Sequence, residues 1–543
     1  MLSGCGLIVH LFQLQVLQAS RLKEMAQSQR QRVSPFVPRR PIVDRHDNIL
    51  AADEPTYTLY AHPKLFRLSY EDVAQQLAPI LKRPESELVQ KMRSASSGIR
   101  LAEFLDQATL REIKQLENDG LEIETHTIRR YPRQEWGAEV IGYVNFDGEA
   151  QAGVEASQKK AIERPQDQQH PERAEADLID KSAQAFVPID DLQLKLTIDT
   201  RLQRLIRPIL EDQVGHFGAR RGLIIVMDAW DGSILSLVST PSFNPNEYFK
   251  ADLSSLKNWA VTDLYEPGST FKPVNMAIAL QSGQVTKNDY FYDPGQLIID
   301  GWPISNAGGV GYGSIGLNDI MRNSSNIGMV QMMRQLKPEI YYDWMAKLGM
   351  GDITHTDLPF EVPSQIKSRE QFLSSPVEAA TTAFGQGFAI TPIQMLRLQG
   401  TLANGGKLVT PHVVQGLYDS QGKSHWQPDI PPPKQVFSPE NVKTVLEAME
   451  GVVESGTGTR AYIPNYRIAG KTGTAQKSTG GGGYSSSAII TSFVGIMPIE
   501  NPRYVVLAIV DEPRGGSGGE VTAPIVKSVI ELLIGIEGIP PSE

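Results

Sequence analysis

Three short segments carry the residues of this chain that could do chemistry together: Ser269-Thr270-Phe271-Lys272, Ser324-Ser325-Asn326 and Lys471-Thr472-Gly473-Thr474. A serine and a lysine three residues apart share a face of a helix, so Ser269 supplies a nucleophile and Lys272 an amine that reaches back toward its hydroxyl. An ordinary lysine, with a pKa of about 10.4, is protonated at neutral pH. Lys272 therefore becomes a base only if burial, nearby Lys471 or the positive end of a helix lowers its pKa. Ser324 can relay a proton, and Asn326 can orient Lys272. Lys471 and Thr472 can hold a carboxylate, and Gly473 leaves room for a substrate backbone beside its strand. Together these are the parts of a serine acyl-transfer site that works without histidine.

Ser-x-x-Lys alone carries little information, because it also occurs at Ser20, Ser157, Ser254, Ser364 and Ser420. The setting selects Ser269. It follows the turn sequence Glu266-Pro267-Gly268 and precedes Met276-Ala277-Ile278-Ala279-Leu280, which is apolar all round as a buried helix would be. Pro273 is tolerated only near a helix start, so the helix begins close to Ser269. There the unpaired N–H groups favour a developing anion.

The elements that must position these segments can be read from pattern. Leu194–Asp199 reads as a strand. Thr200–Val214 reads as a helix with Leu202, Leu205, Ile206, Ile209 and Leu210 on its apolar face. Gly222–Met227 and Ser233–Val238 read as strands joined by Trp230-Asp231-Gly232, and Ser492–Met497 and Tyr504–Asp511 as a second strand pair. Strands at both ends with helices between predict an α+β fold. Upstream, Arg40–Ala51 reads as strand, turn and strand, and Thr56–Ala61 as a further short strand. Two amphipathic helices are expected near Tyr70–Leu81 and Leu105–Asn118. Glu163–Ala185 is polar and charged, which places a boundary there. We expect residues 21–185 to form an N-terminal domain and linker, residues 186–536 the catalytic domain, and residues 537–543 a tail.

Composition narrows the function. A net charge of −10 without long basic runs argues against nucleic-acid binding. The single Cys5 excludes an internal disulfide, and the nine histidines show no zinc-ligand spacing, so neither metal nor cofactor is expected. Gly470-Lys471-Thr472 ends like a phosphate loop, but Asn465 stands where that loop needs glycine. Residues 1–20 lack charge and are rich in Leu, Ile, Val and Phe, near the length of a membrane span, although His10, Gln13, Gln15 and Gln18 interrupt them. We expect a single-pass anchor here whose recorded start lies inside the full span, since no basic residue precedes it. A buried amphipathic helix is the alternative.

The three motifs in this order are the signature of class A β-lactamases and penicillin-binding proteins, with Ser325 where the middle motif often has Asp. The flanking Tyr265-Glu266-Pro267-Gly268, Gly385-Gln386-Gly387, Thr391-Pro392, Asn404-Gly405-Gly406 and Ala475-Gln476 make the chain resemble class B penicillin-binding proteins from about Arg40 onward. Tyr265-Glu266 and Asp511-Glu512-Pro513 resemble the division-specific, FtsI-type branch. The expected Arg-Gly-x-Ile-x-Asp-Arg-Asn-Gly is only partly kept, with Arg40 for the first Gly and His46-Asp47 for Asn-Gly.

The resemblance implies a penicillin-binding, transpeptidase-like domain, an antiparallel sheet flanked by helices, on a mixed pedestal domain of the dimerisation type. It implies a serine D,D-transpeptidase that cross-links peptidoglycan stem peptides in septal wall synthesis and is acylated by β-lactams. Ser269, Lys272, Ser324, Asn326 and Thr474 would be catalytic, and Lys471, Thr472 and Gly473 would bind substrate. The backbone N–H groups of Ser269 and Thr474 would form the oxyanion hole. The expected setting is the outer face of a bacterial plasma membrane, beside a separate membrane glycan polymerase and division proteins. An elongation-type role, a carboxypeptidase or β-lactamase, and a penicillin sensor are the alternatives.

Overall fold

The computed structural model describes residues 37–164, 189–478 and 483–542. The expected anchor at 1–20 lies outside the described residues, as does nearly all of the expected linker at Glu163–Ala185. Among the described residues no helix is long and apolar enough to cross a membrane. The chain forms two compact units that are not consecutive in sequence. The smaller takes in 53–128, and the larger takes in 40–52, 129–162 and 192–543.

The smaller unit contains two helices that pack together, Tyr70–Leu81 and Glu85–Met92, a strand at Ile99–Leu105 and a third helix at Gln107–Lys114. Ser69 and Asp106 cap the first and third helices by accepting from Asp72 N and Thr109 N. Leu59, Val73, Leu77, Leu88, Met92, Leu101 and Ile113 form its core. The expected strand at Thr56–Ala61 is part of a single strand, Ile49–Ala61. Pro55 does not break it, because the fixed φ of proline is compatible with extended backbone. The helix Glu85–Met92 has no counterpart in the sequence reading, since two turns rich in Glu and Lys show only a short apolar stripe.

In the larger unit the main element is a five-stranded antiparallel sheet. Its strands are β1 (Arg221–Asp228), β2 (Ile234–Thr240), β3 (Ala469–Ser478), β4 (Tyr484–Met497) and β5 (Tyr504–Asp511), in the order β3-β4-β5-β1-β2. Both faces are buried. Leu223, Ile225 and Met227 of β1 and Val505, Leu507 and Ile509 of β5 belong to one core. The alternate residues Ile224, Val226, Val506, Ala508 and Val510 belong to the other. This two-sided burial is why these strands read as unbroken apolar runs rather than alternating ones.

One face is covered by α1 (Thr200–His216) and α7 (Ala523–Glu537), whose Leu202, Ile206, Leu210, Val526 and Ile530 share the second core. The helices on the other side are α2 (Lys272–Gln281), α3 (Leu317–Arg322), α4 (Asn326–Met333), α5 (Pro392–Ala403) and α6 (Pro439–Ser455). α2 is buried along all of Lys272–Leu280, the central position its all-apolar sequence calls for.

A buried ion pair ties α1 to the segment at 138–141. Arg207 donates to Glu139 at 2.7 Å and to the carbonyls of Ser239 and Glu135, and Glu139 also accepts from Ser239 N and Ser242. Removing one partner leaves the other charge uncompensated. We expect Arg207→Ala to destabilise the larger unit by about 3–5 kcal/mol, read as a lowered midpoint in denaturant unfolding. An unchanged midpoint would show that water compensates Glu139.

Candidate active site

Ser269 lies in a tight 3-10 turn, Gly268–Phe271, that leads directly into α2, with Lys272 as the first α-helical residue and Pro273 in the first turn. The turn is braced on several sides. Gly268 adopts φ +56° and donates its N–H to the Gly385 carbonyl at 2.9 Å. A β-carbon on Gly385 would stand 2.0 Å from the Gly268 oxygen, so the Gly-Gln-Gly segment can press against the turn only without a side chain. Thr270 donates to the Pro267 carbonyl at 2.7 Å, and buried Gln399 of α5 donates to the Thr270 carbonyl at 2.9 Å. Asn275 of α2 donates to the carbonyls of Thr382 and Ala383 and accepts from Tyr341.

The three motifs converge on one cavity of about 270 Å³, lined by Ser269, Ser324, Asn326, Thr472 and Thr474 together with Tyr312 and the loop Ser517-Gly518-Gly519. Lys272 is fully buried. Its Nζ donates to the Ser324 carbonyl at 2.5 Å and to Asn326 Oδ1 at 2.8 Å, with Ser324 Oγ at 3.3 Å. The amine thus engages the middle motif. The Lys272 N–H donates to the Ser269 carbonyl and closes the 3-10 turn, which keeps the two residues on one face as expected, but no hydrogen bond joins Nζ to the Ser269 hydroxyl among the described residues. Lys471, also fully buried, donates from Nζ to Ser324 Oγ at 2.9 Å and to the Thr472 carbonyl at 3.1 Å. Ser324 therefore stands between the two lysines.

Electrostatics follow from that geometry. Burial pushes Lys272 well below the usual lysine range, and the neighbouring charge of Lys471 adds to the effect, while Asp293 opposes it. Burial alone brings Lys471 down to about 7.

Ser324 has φ +54°, a left-handed conformation that a serine adopts only when held there. The holding group is a buried knot that sequence reasoning missed. Ser325 caps α4 by accepting from Gly328 N at 2.7 Å and donates to Asp293 Oδ2 at 2.6 Å. Asn306 donates to both oxygens of Asp293 and to the Val310 carbonyl, and its Oδ1 accepts from Ile327 N. Asp293 ends the strand Tyr290–Asp293 and Asn306 follows the strand Trp302–Ser305, both between the first two motifs, and a lone Asp-Pro-Gly or Asn-Ala-Gly reads only as a loop.

β3 is the edge strand of the sheet, so the Lys471–Thr474 segment has one side free of a sheet partner. Thr472 exchanges a hydrogen bond with Thr457 at 2.8 Å, and Thr474 Oγ1 accepts from Gly518 N at 3.0 Å. The fold itself also requires glycine at 473. A β-carbon there would meet Ser492 Oγ of β4 at 2.4 Å and Thr270 Cγ2 of the nucleophile's turn at 2.9 Å, so both neighbours need the space.

The comparisons agree with this arrangement. The penicillin binding protein transpeptidase domain matches residues 222–531, and the penicillin-binding protein dimerisation domain matches residues 36–171. A peptidoglycan D,D-transpeptidase FtsI homolog of Mesostigma viride is 39% identical, over 99% of this chain and 95% of its own length. Stage V sporulation protein D of Bacillus subtilis is 31% identical, over 97% of this chain and 83% of its own. Penicillin binding protein 3 of Mycobacterium tuberculosis, solved with aztreonam, superposes with a TM-score of 0.71 at 23% identity, covering 94% of this chain and 98% of that one, and so shares the fold. With more than half of its residues in the transpeptidase domain, this chain belongs to the penicillin-binding protein transpeptidases. Within that family it is of the FtsI type, the description carried by its 39% identical relative.

The knot makes a direct prediction. Ser325→Ala removes a helix cap and a donor to Asp293, and should cost about 1–2 kcal/mol and slow penicillin acylation. Ser325→Asp, which sets a second carboxylate against buried Asp293, should be worse on both counts. Equal behaviour of the two variants in thermal unfolding and acylation kinetics would mean that the knot does not set the Ser324 geometry.

Proposed function

We propose that this chain is a serine D,D-transpeptidase that cross-links peptidoglycan stem peptides in septal wall synthesis and is acylated by β-lactams. The observation that carries this reading is the buried amine of Lys272, its pKa pushed well below the lysine range by burial and by Lys471, bonded to Ser324 and Asn326, which line the cavity that holds Ser269. Ser269 Oγ attacks the carbonyl of the penultimate D-alanine while neutral Lys272 takes its proton. The tetrahedral oxyanion is held by the backbone N–H groups of Ser269 and Thr474. Collapse of the intermediate breaks the peptide bond, and the leaving amine of the terminal D-alanine is protonated through Ser324. An amine from a neighbouring stem then attacks the acyl-enzyme and restores Ser269. Lys471 and Thr472 hold the terminal carboxylate.

The FtsI name of the 39% identical relative supports the septal assignment. In that setting the chain would be anchored in the bacterial plasma membrane and face outward, and would work beside a separate glycan polymerase and division proteins. Labelling the protein in growing cells tests this directly, with septal label expected and side-wall label pointing to elongation.

Two expectations follow for the chemistry. Ser269→Ala should abolish covalent labelling by a fluorescent penicillin, and Lys272→Ala should slow acylation by about two orders of magnitude or more. Retained labelling in the first variant would assign the nucleophile elsewhere. The pH dependence follows from Lys471, whose ammonium form, the one that binds carboxylate, predominates below about 7 in the free protein. KM for a carboxylate-bearing substrate should therefore rise as pH increases through about 7, and the rise should vanish for a neutral amide analogue. A parallel rise for both substrates would count against the clamp.

A further inference from the structure

The Asp293–Asn306 knot that holds Ser325 is also the root of two short hairpin-like ladders in the larger unit. In the first, Tyr290–Asp293 pairs with Gly313–Gly316. In the second, Gln296–Ile299 pairs with Trp302–Ser305. Both end at the site. Asn306 N donates to the Gly295 carbonyl, Tyr312 N to the Asp293 carbonyl, and Asn326 Nδ2 to the Ser305 carbonyl at 3.0 Å.

The outer face of the first ladder is aromatic. Tyr290 and Tyr292 alternate with buried Phe291 and Asp293 and are 70% and 67% exposed, whereas the outer face of the second ladder carries Gln296, Ile298, Pro303 and Ser305, and Trp302 shares the opposite face with buried Ile299 and Ile304. The two tyrosines point to one side of the ladder, about 6.6 Å apart along the strand, across from Gly316 and Ser314. Tyr312, one residue before this ladder, lines the catalytic cavity itself.

Exposed large rings grouped beside a cleft mark a binding surface. The outward side chains of these ladders are Tyr290, Tyr292, Ser314, Gln296, Ile298, Pro303 and Ser305, none of them charged, and the exposed charge beside them is the carboxylate of Asp300 in the turn of the second ladder. A nucleic-acid or anionic-lipid surface needs Lys or Arg. A neutral polyol needs flat rings for its C–H faces and hydroxyl or amide groups for its hydroxyls, and those are the groups present.

We propose that this aromatic ladder binds the glycan strand that bears the stem peptide. The inference rests on the reading of the site as a stem-peptide transpeptidase. A peptide reaches at most ~3.3–3.6 Å per residue, so the glycan carrying a short stem must pass within that length of Ser269. The ladder starts at the rim of the cavity that holds Ser269 and is uncharged, which places an aromatic sugar-stacking surface where the strand has to run.

The test uses the full chain, Tyr290→Ala/Tyr292→Ala and Tyr290→Phe/Tyr292→Phe. Substrates are uncross-linked glycan chains bearing stem peptides and a sugar-free stem-peptide thioester, and penicillin acylation reports on the intact site. In the alanine variant KM for the glycan-linked substrate should rise about tenfold, with thioester turnover and penicillin acylation unchanged, and the phenylalanine variant should stay near wild type. Cosedimentation with glycan strands stripped of peptide gives a second readout. The wild type should cosediment, and the alanine variant should not.

Failure of the wild type to cosediment, or equal losses on both substrates with acylation intact, overturns the proposal. Retained glycan handling by the alanine variant also overturns it and leaves the face to a protein partner. Absence of turnover on either substrate by the wild type would instead sink the transpeptidase reading, while cosedimentation would still report on the ladder.

Discussion

Two primary amines are buried side by side in this protein, and the rest of the site follows from the cost of keeping them there. Neither Lys272 nor Lys471 is solvated, and both reach Ser324. An isolated buried ammonium is so unfavourable that a group in this position gives up its proton. Two adjacent ammonium groups compound the penalty, so the stable arrangement has one charged and one neutral. Lys272 is pushed down by burial and by Lys471 acting together. The fold thus sets two buried amines side by side, Lys272 well below the lysine range and Lys471 pushed down by burial to about 7.

Such a pair needs a rigid frame, and the frame comes from three directions. β3 delivers Lys471 on a sheet edge backed by β4, β5 and β1, whose strands are buried on both faces. α2 delivers Lys272 from a position where every residue through Leu280 is buried. The middle motif has no such element beneath it, because Ser324 sits between two short helices in a left-handed conformation. Its fixity comes from polar satisfaction. Asp293 accepts from Ser325, Asn306 and Gly295 N, and every bond is short and shielded from water. A network of that kind is stable when complete and fragile when one member is lost.

Much of this was legible in the sequence. The order of the three motifs, the turn before Ser269 and the apolar run after it were enough to choose Ser269 from six Ser-x-x-Lys matches. Unbroken apolar runs also located β1 and β5, because strands buried on both faces lose their alternation. Other features were hidden because they depend on tertiary pairing. Asp293 and Asn306 are thirteen residues apart at the ends of separate strands, and nothing local marks them as partners of each other or of Ser325. Gly473 was legible as a required glycine, but the atoms that require it, on Thr270 and Ser492, are distant in sequence. Lys272 shares a face with Ser269 as the spacing implies, but its amine donates to Ser324 and Asn326, partners that only the tertiary fold brings to it.

The claim on which the account depends is that Lys272 is a neutral amine in the resting protein. Its protonation state can be read directly by NMR titration of lysines labelled at the side-chain carbon and nitrogen next to the charge, with Lys272→Ala used to assign the signal. The account predicts a Lys272 resonance already in the neutral form at pH 7, titrating far below the ordinary lysine value of about 10.4, with Lys471 titrating near 7. A Lys272 signal that remains protonated through pH 9 would contradict it.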